Sequence, residues 1–140
     1  MELCIFFSDK PGGVGNCDLY TAQFIKGKYT HVTNMGAILN STENEWDTFI
    51  APDESYIIFC STKDRKNGLD DLYISFKNKG QTWSSPTNMG EKFNSIQSDN
   101  RPYVTQDGKY FFFTSMKDGT RDIYWVDAKI IEKIRLESIK

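Results

Sequence analysis

Apolar positions along this chain fall in short unbroken runs, not in helical stripes. Leu3-Cys4-Ile5-Phe6-Phe7, Tyr56-Ile57-Ile58-Phe59-Cys60 and Tyr110-Phe111-Phe112-Phe113 are such runs, and they lead to Ser8, Ser61 and Ser115. They are rich in aromatic and β-branched residues and bounded by turn signals, which predicts strands covered on both faces. Pro52-Asp53-Glu54-Ser55 and Gln106-Asp107-Gly108-Lys109 have turn compositions, and Thr48-Phe49-Ile50 and Pro102-Tyr103-Val104 before them predict short strands closing hairpins. A polar, glycine-containing loop follows each serine. Asp18-Leu19-Tyr20, Asp71-Leu72-Tyr73 and Asp122-Ile123-Tyr124 then open a third strand reaching Phe24, Phe76 or Val126. Gly27-Lys28-Tyr29 and Gly80-Gln81-Thr82-Trp83 signal a fourth. The stretch from Ala128 to Ile139, rich in Ile, Lys and Glu, predicts a short helix.

These patterns are copies of one unit. Asp53 and Asp107, Ser61 and Ser115, Asn40 and Asn94, and the triplets Asn34-Met35-Gly36 and Asn88-Met89-Gly90 are all 54 residues apart. Repetition at that period, with four antiparallel strands per unit, describes the blade of a β-propeller. The chain is expected to be a single all-β domain of about two and a half to three blades, over residues 1–42, 43–96 and 97–140. Because Met1 aligns inside the turn, the first blade is expected to lack its innermost strand. Further blades, from the same or another chain, would then be needed to close a ring.

The ordered motifs (turn, apolar strand ending in Ser, glycine-containing loop, Asp-[Leu/Ile]-Tyr, Gly-x-[Trp/Tyr], Asn-Met-Gly, Asn-Ser) resemble the WD-repeat-like propeller repeats of bacterial TolB-type proteins. The likeness covers almost the whole chain and matches a C-terminal portion. Gln106 stands for the usual Pro of the turn and Glu54 for its Gly. What the resemblance implies is a binding or scaffold module in a periplasmic or extracellular setting, with a protein, peptide or glycan ligand. Asn78 to Trp83 also resembles part of a sialidase Asp-box turn, with Asn78 in place of the Asp and Phe76 in place of the Ser.

Charge narrows the partners. Seventeen basic and nineteen acidic residues leave a net charge of −2, and no Lys/Arg block suits a nucleic-acid backbone. No apolar run approaches the roughly 20 residues of a membrane helix, and Met1-Glu2-Leu3-Cys4 lacks the basic start of a signal peptide. Cys4, Cys17 and Cys60 have no metal-type spacing.

Residues present in every copy solve a problem that every copy has. Asp18, Asp71 and Asp122 are therefore read as turn-fixing acceptors in preference to calcium ligands, so no cofactor is expected. Tyr20, Tyr73 and Tyr124 read as core aromatics, and Ser8, Ser61 and Ser115 as structural repeat positions. Gly12-Gly13-Val14-Gly15, with counterparts Lys66-Asn67-Gly68 and Asp118-Gly119-Thr120, precedes a strand and not a helix, so it reads as a hairpin and not a phosphate loop. Lys10, Lys63 and Lys117 follow the serines as solvated loop charges or a basic collar.

Positions that vary between copies are better ligand candidates. Glu45, Trp46 and Asp47 overlay Asp99, Asn100 and Arg101 ahead of the innermost strand, where they are expected to face a channel. Catalytic patterns are sparse: His31 is the single histidine, and no nucleophile elbow is visible. The residues favour binding over catalysis. A carbohydrate-active propeller, with Glu45 and Asp99 as paired carboxylates, and the regulatory propeller of a hydrolase are the alternatives.

Overall fold

The computed structural model describes residues 2–65 and 69–138, which leaves the Lys66-Asn67-Gly68 loop tip outside the described residues. Three antiparallel sheets follow one another along the chain. The first holds β1 (Glu2–Ser8), β2 (Asp18–Ile25) and β3 (Lys28–Asn34). The second holds β4 (Glu45–Ile50), β5 (Tyr56–Ser61), β6 (Asp71–Phe76) and β7 (Thr87–Asn88). The third holds β8 (Asp99–Val104), β9 (Tyr110–Ser115) and β10 (Asp122–Asp127), and α1 (Ile130–Ser138) ends the chain. None of these sheets closes on itself, and the architecture is that of a partial, propeller-like all-β fold.

The repeat is visible in the register. Ser8 pairs with Asp18, Ser61 with Asp71, and Ser115 with Asp122. Each serine Oγ accepts the amide two residues on, from Lys10, Lys63 or Lys117, at 3.2, 3.1 and 3.1 Å. Each second strand also stacks an aromatic on the tyrosine of the third. Phe6–Tyr20, Phe59–Tyr73 and Phe113–Tyr124 have ring centroids 5.8, 6.1 and 5.9 Å apart.

Two apolar clusters lie between the sheets. Leu19 and Ile5 of the first sheet meet Ile57, Phe59 and Tyr73 of the second. The opposite side of the second sheet, with Ile58, Cys60, Leu72, Ile74 and Phe76, packs on Phe111 and Phe113 of the third. Strand β5 lies between the two clusters and is buried on both faces, which suits its unbroken apolar run, whereas β9 buries only Phe111, Phe113 and Ser115, and Phe7 of β1 is exposed. Helix α1 closes the second cluster with Ile131, and Arg135 lies over the Phe76 ring at 4.7 Å. On the far face of the third sheet, Ile123 is 73% and Trp125 60% exposed. Their repeat equivalents Leu72 and Ile74 are fully buried.

Two strand expectations shift. Strands β4 and β8 begin at Glu45 and Asp99, earlier than the apolar triplets suggest, because both acids are fully buried ladder residues. The fourth strand of the second sheet is not at Gly80–Trp83. That segment folds as a tight loop bridged by Lys77 and Trp83, and pairing resumes only at Thr87–Asn88. Pro86, which has no N–H to give a ladder, stands just before it.

Candidate functional site

The Asn-Met-Gly and Asn-Ser connectors act as braces. Asn40 Oδ1 accepts Leu19 N at 2.8 Å, while Asn40 Nδ2 donates to Leu19 O and to Asn34 Oδ1. Asn94 repeats all three bonds with Leu72 and Asn88. Asn34 and Asn88 in turn donate to Asp18 and Asp71, at 2.8 and 3.0 Å. A side-chain amide that both donates and accepts can pin a connector to a strand it does not pair with.

The repeated aspartates are held differently in each copy. Asp18 accepts Val14 N at 2.5 Å and Gly15 N at 2.9 Å. The glycines of that loop permit close approach: a Cβ on Gly13 would meet Asp18 Oδ2 at 2.0 Å, and one on Gly15 would meet Ser41 O at 2.3 Å. These loop amides already serve Asp18. Asp71 instead receives Arg65, with Nε at 3.0 Å and Nη2 at 2.6 Å, and Arg65 also reaches Ser95 O. Asp122 is exposed and accepts the Thr120 hydroxyl. Lys63 and Lys117 lie over the rings of Tyr73 and Tyr124, at 4.3 and 3.7 Å, which directs both charges onto their own blades. Tyr124 donates to Asp118 at 2.6 Å, and that bond pushes its hydroxyl up to about 12.

The six variable residues separate into three roles. Glu45 and Asp99 are fully buried and do not line an open surface. Glu45 accepts Ser41 N at 2.8 Å, Ser41 Oγ at 2.6 Å and Ser61 Oγ at 2.7 Å. Asp99, one methylene shorter, accepts Ser95 N and Ser95 Oγ, and its Oδ1 has no partner among the described residues. The half-buried Trp46 and the buried Asn100 are linked across the sheets through Asp70. Trp46 Nε1 donates to Asp70 Oδ1 at 2.9 Å, and Asn100 Nδ2 donates to Asp70 Oδ2 at 3.1 Å. Arg121 and Thr114 then donate to Asn100 Oδ1. Asp70 and Arg121 were not among the sequence candidates. They belong to loops of different copies, with no shared spacing to mark them.

Asp47 and Arg101 remain. Each sits at a break in its ladder, between Trp46 and Phe49 in one case and between Asn100 and Tyr103 in the other. Their φ angles are 44° and 54°, a left-handed backbone that costs a non-glycine residue roughly 1 kcal/mol or more. The bulges swing both side chains out of the sheet toward an open cleft of about 490 Å³, lined by Ile5, Phe6 and Phe7 of β1, Asp47 and Thr48 of β4, and Arg101, Pro102 and Tyr103 of β8. Burial raises the Asp47 carboxyl above its ordinary value, and the Arg101 charge pulls part of that back. Arg101 makes no ion pair or side-chain hydrogen bond among the described residues. Phe7 is 46% and Tyr103 54% exposed.

The cleft therefore joins one free guanidinium, one partly desolvated carboxylate and two aromatic surfaces. Among the described residues no group of three or more His, Cys, Asp or Glu could hold a metal ion, and no helix is long and apolar enough to cross a membrane. No protein-family model matches the chain, and no curated protein matches it closely enough to name a relative.

Proposed function

We propose that this chain is a non-catalytic binding module of the TolB-type propeller kind, acting in a bacterial envelope or secreted protein, and that its ligand is a peptide held in the inner cleft. The observation that carries the reading is the paired left-handed bulges at Asp47 and Arg101, which aim a carboxylate and a free guanidinium into a cleft walled by Phe7 and Tyr103. Strained backbone retained at one place in two copies suits recognition. A cation beside aromatic surface suits peptide carboxylates and apolar side chains. Glu45 and Asp99 are buried and bonded to serines, which weighs against their use as a glycosidase carboxylate pair. The exposed Ile123 and Trp125, equivalent to residues buried between sheets, suit a further blade from the same or another chain.

The test is selection of linear peptides on the purified chain, followed by amide-shift mapping. Bound peptides are expected to shift Phe7, Thr48, Arg101 and Tyr103, and a Phe7→Ala/Tyr103→Ala double variant is expected to bind about tenfold more weakly or worse. Shifts confined to β3, β7 and β10 would overturn the reading.

A further inference from the structure

The second sheet breaks its outer ladder beside Ser75 and Phe76. Strand β7 meets β6 only at Tyr73–Asn88 and Ile74–Thr87, whereas β3 follows β2 as far as Ile25. Ser84 takes over at Phe76: its amide donates to Phe76 O at 2.8 Å, and its hydroxyl accepts Phe76 N at 3.0 Å. Ser85 and Pro86 therefore both stand opposite Ser75, one residue more than a regular ladder admits, which makes a bulge. Between this bulge and α1 lies a recess of about 400 Å³. Lys77, Asn78, Ser85 and Thr87 line it from the sheet and Arg135 from the helix.

Arg135 is short of partners. A guanidinium carries five N–H donors in a fixed fork. Its Nε is buried and stands 3.4 Å from Glu132 Oε2 without a hydrogen bond among the described residues. Nη2 reaches Ser55 O at a long 3.5 Å, and Nη1 has no partner among the described residues. The Glu132 side chain is 63% exposed, so its attraction is screened. The Phe76 ring, 4.7 Å from the guanidinium carbon, holds the fork in place without using a donor. Lys77, by contrast, is matched by Glu54 at 2.8 Å. The hydroxyls of Ser85 and Thr87 also bond to nothing among the described residues.

We propose that this recess binds a small phosphate monoester, of sugar-phosphate size, between the second sheet and α1. An under-used guanidinium fork matches two phosphate oxygens at once. The Ser85 and Thr87 hydroxyls add donors from the opposite wall, with the amide of Asn78, which is held only by a 3.4 Å contact to Thr82. Three phosphoryl oxygens accept more of these donors than the two oxygens of a carboxylate. The volume exceeds what a bare phosphate ion fills and lies in the range of small-molecule sites. The recess shares no residue with the Asp47–Arg101 cleft, so the site stands or falls apart from the peptide reading.

The probe is glucose 6-phosphate, titrated at constant ionic strength into the intact isotope-labelled chain with amide shifts as the readout. Saturable shifts are expected at Lys77, Ser85, Thr87 and Arg135, and none with glucose. Arg135→Lys keeps the charge and loses the fork, and is expected to weaken binding at least tenfold. Thr87→Val keeps the shape and loses the hydroxyl, and is expected to weaken it about fivefold. Lys28→Gln, on exposed β3, reports any general charge effect and is expected to bind as the parent does. Thermal melts show that each variant is folded.

No saturable shift at these residues would overturn the proposal, as would parent-like binding by both Arg135→Lys and Thr87→Val. Equal binding of glucuronate would make this a carboxylate site, and equal binding of inorganic phosphate a site for the free ion. Either result refutes the monoester. Shifts at Phe7 and Tyr103 in place of Ser85 and Thr87 would put the sugar phosphate in the cleft and refute this site.

Discussion

Ser61 Oγ donates to Glu45 Oε1 at 2.7 Å, inside a pair of strands where neither residue is reached by solvent. The same carboxylate takes the amide and hydroxyl of Ser41, so one side chain fastens a connector to two strands. Asp99, one methylene shorter, takes only the amide and hydroxyl of Ser95 and leaves Oδ1 unpartnered among the described residues. Truncating Glu45 would leave the buried Ser61 hydroxyl and the half-buried amide and hydroxyl of Ser41 without their acceptor, and would leave a cavity. Glu45→Ala is therefore expected to lose about 3 kcal/mol of unfolding free energy. Asp99→Ala, which removes an already unsatisfied atom, is expected to lose less. Urea titration of both variants checks the order, and equal losses would contradict it.

Arg65 and Asp71 form a half-buried pair, with Nη2–Oδ1 at 2.6 Å and side-chain exposures of 23% and 8%. Asp71 also holds Asn88, so Asp71→Ala is expected to lose about 2 kcal/mol. A double-mutant cycle with Arg65→Ala should return a coupling of roughly 1 kcal/mol, given partial screening at Arg65. A coupling near zero would show that the arginine serves only Ser95.

Gly15 has the Ser41 carbonyl 2.3 Å and the Glu43 carbonyl 2.6 Å from where a Cβ would stand, and neither is a movable side-chain tip. Gly15→Ala is expected to destabilise by about 2 kcal/mol or more. Gly80 has nothing within 4 Å and no positive φ, so Gly80→Ala is expected to leave stability unchanged or raise it slightly, through the unfolded chain. Thermal melts of the two variants provide the comparison.

Burial pushes the Cys60 thiol well above its ordinary 9.0, and burial followed by Asp9, Asp18 and Glu45 raises Cys17 as well. Both thiols hold their protons more firmly folded than unfolded. As pH rises through the ordinary thiol value, the unfolded chain ionises first, so stability is retained below that window and falls above it. Cys60→Ala is expected to be less stable at neutral pH because of its cavity, yet to show a shallower decline between about pH 8 and 10. Denaturant titrations across that range test the slope. Cys60 should also react with a thiol reagent far more slowly than the half-buried Cys4 and Cys17.

Much of the architecture is legible in single residues. The runs ending at Ser8, Ser61 and Ser115 mark the second strand of each copy, although only β5 is buried on both faces: β9 alternates, and Phe7 of β1 is exposed. Asn40 and Asn94 recur because each copy must tie its connector to a third strand through an amide. The fourth strand was misplaced at Gly80–Trp83, since a glycine and an aromatic fit a tight loop as well as a strand.

The chain by itself determined the period, the strand order within each unit and the helix after β10, all of which depend on neighbours close in sequence. Tertiary structure alone decided which of the adjacent residues 45, 46 and 47 is brace, link or cleft-lining group. The bulge at Asp47 breaks the two-residue alternation, so the side each residue faces cannot be counted along the strand. The partners that bury Glu45 and hold Trp46 come from Ser61 and Asp70, distant in sequence and brought close only by sheet pairing and packing.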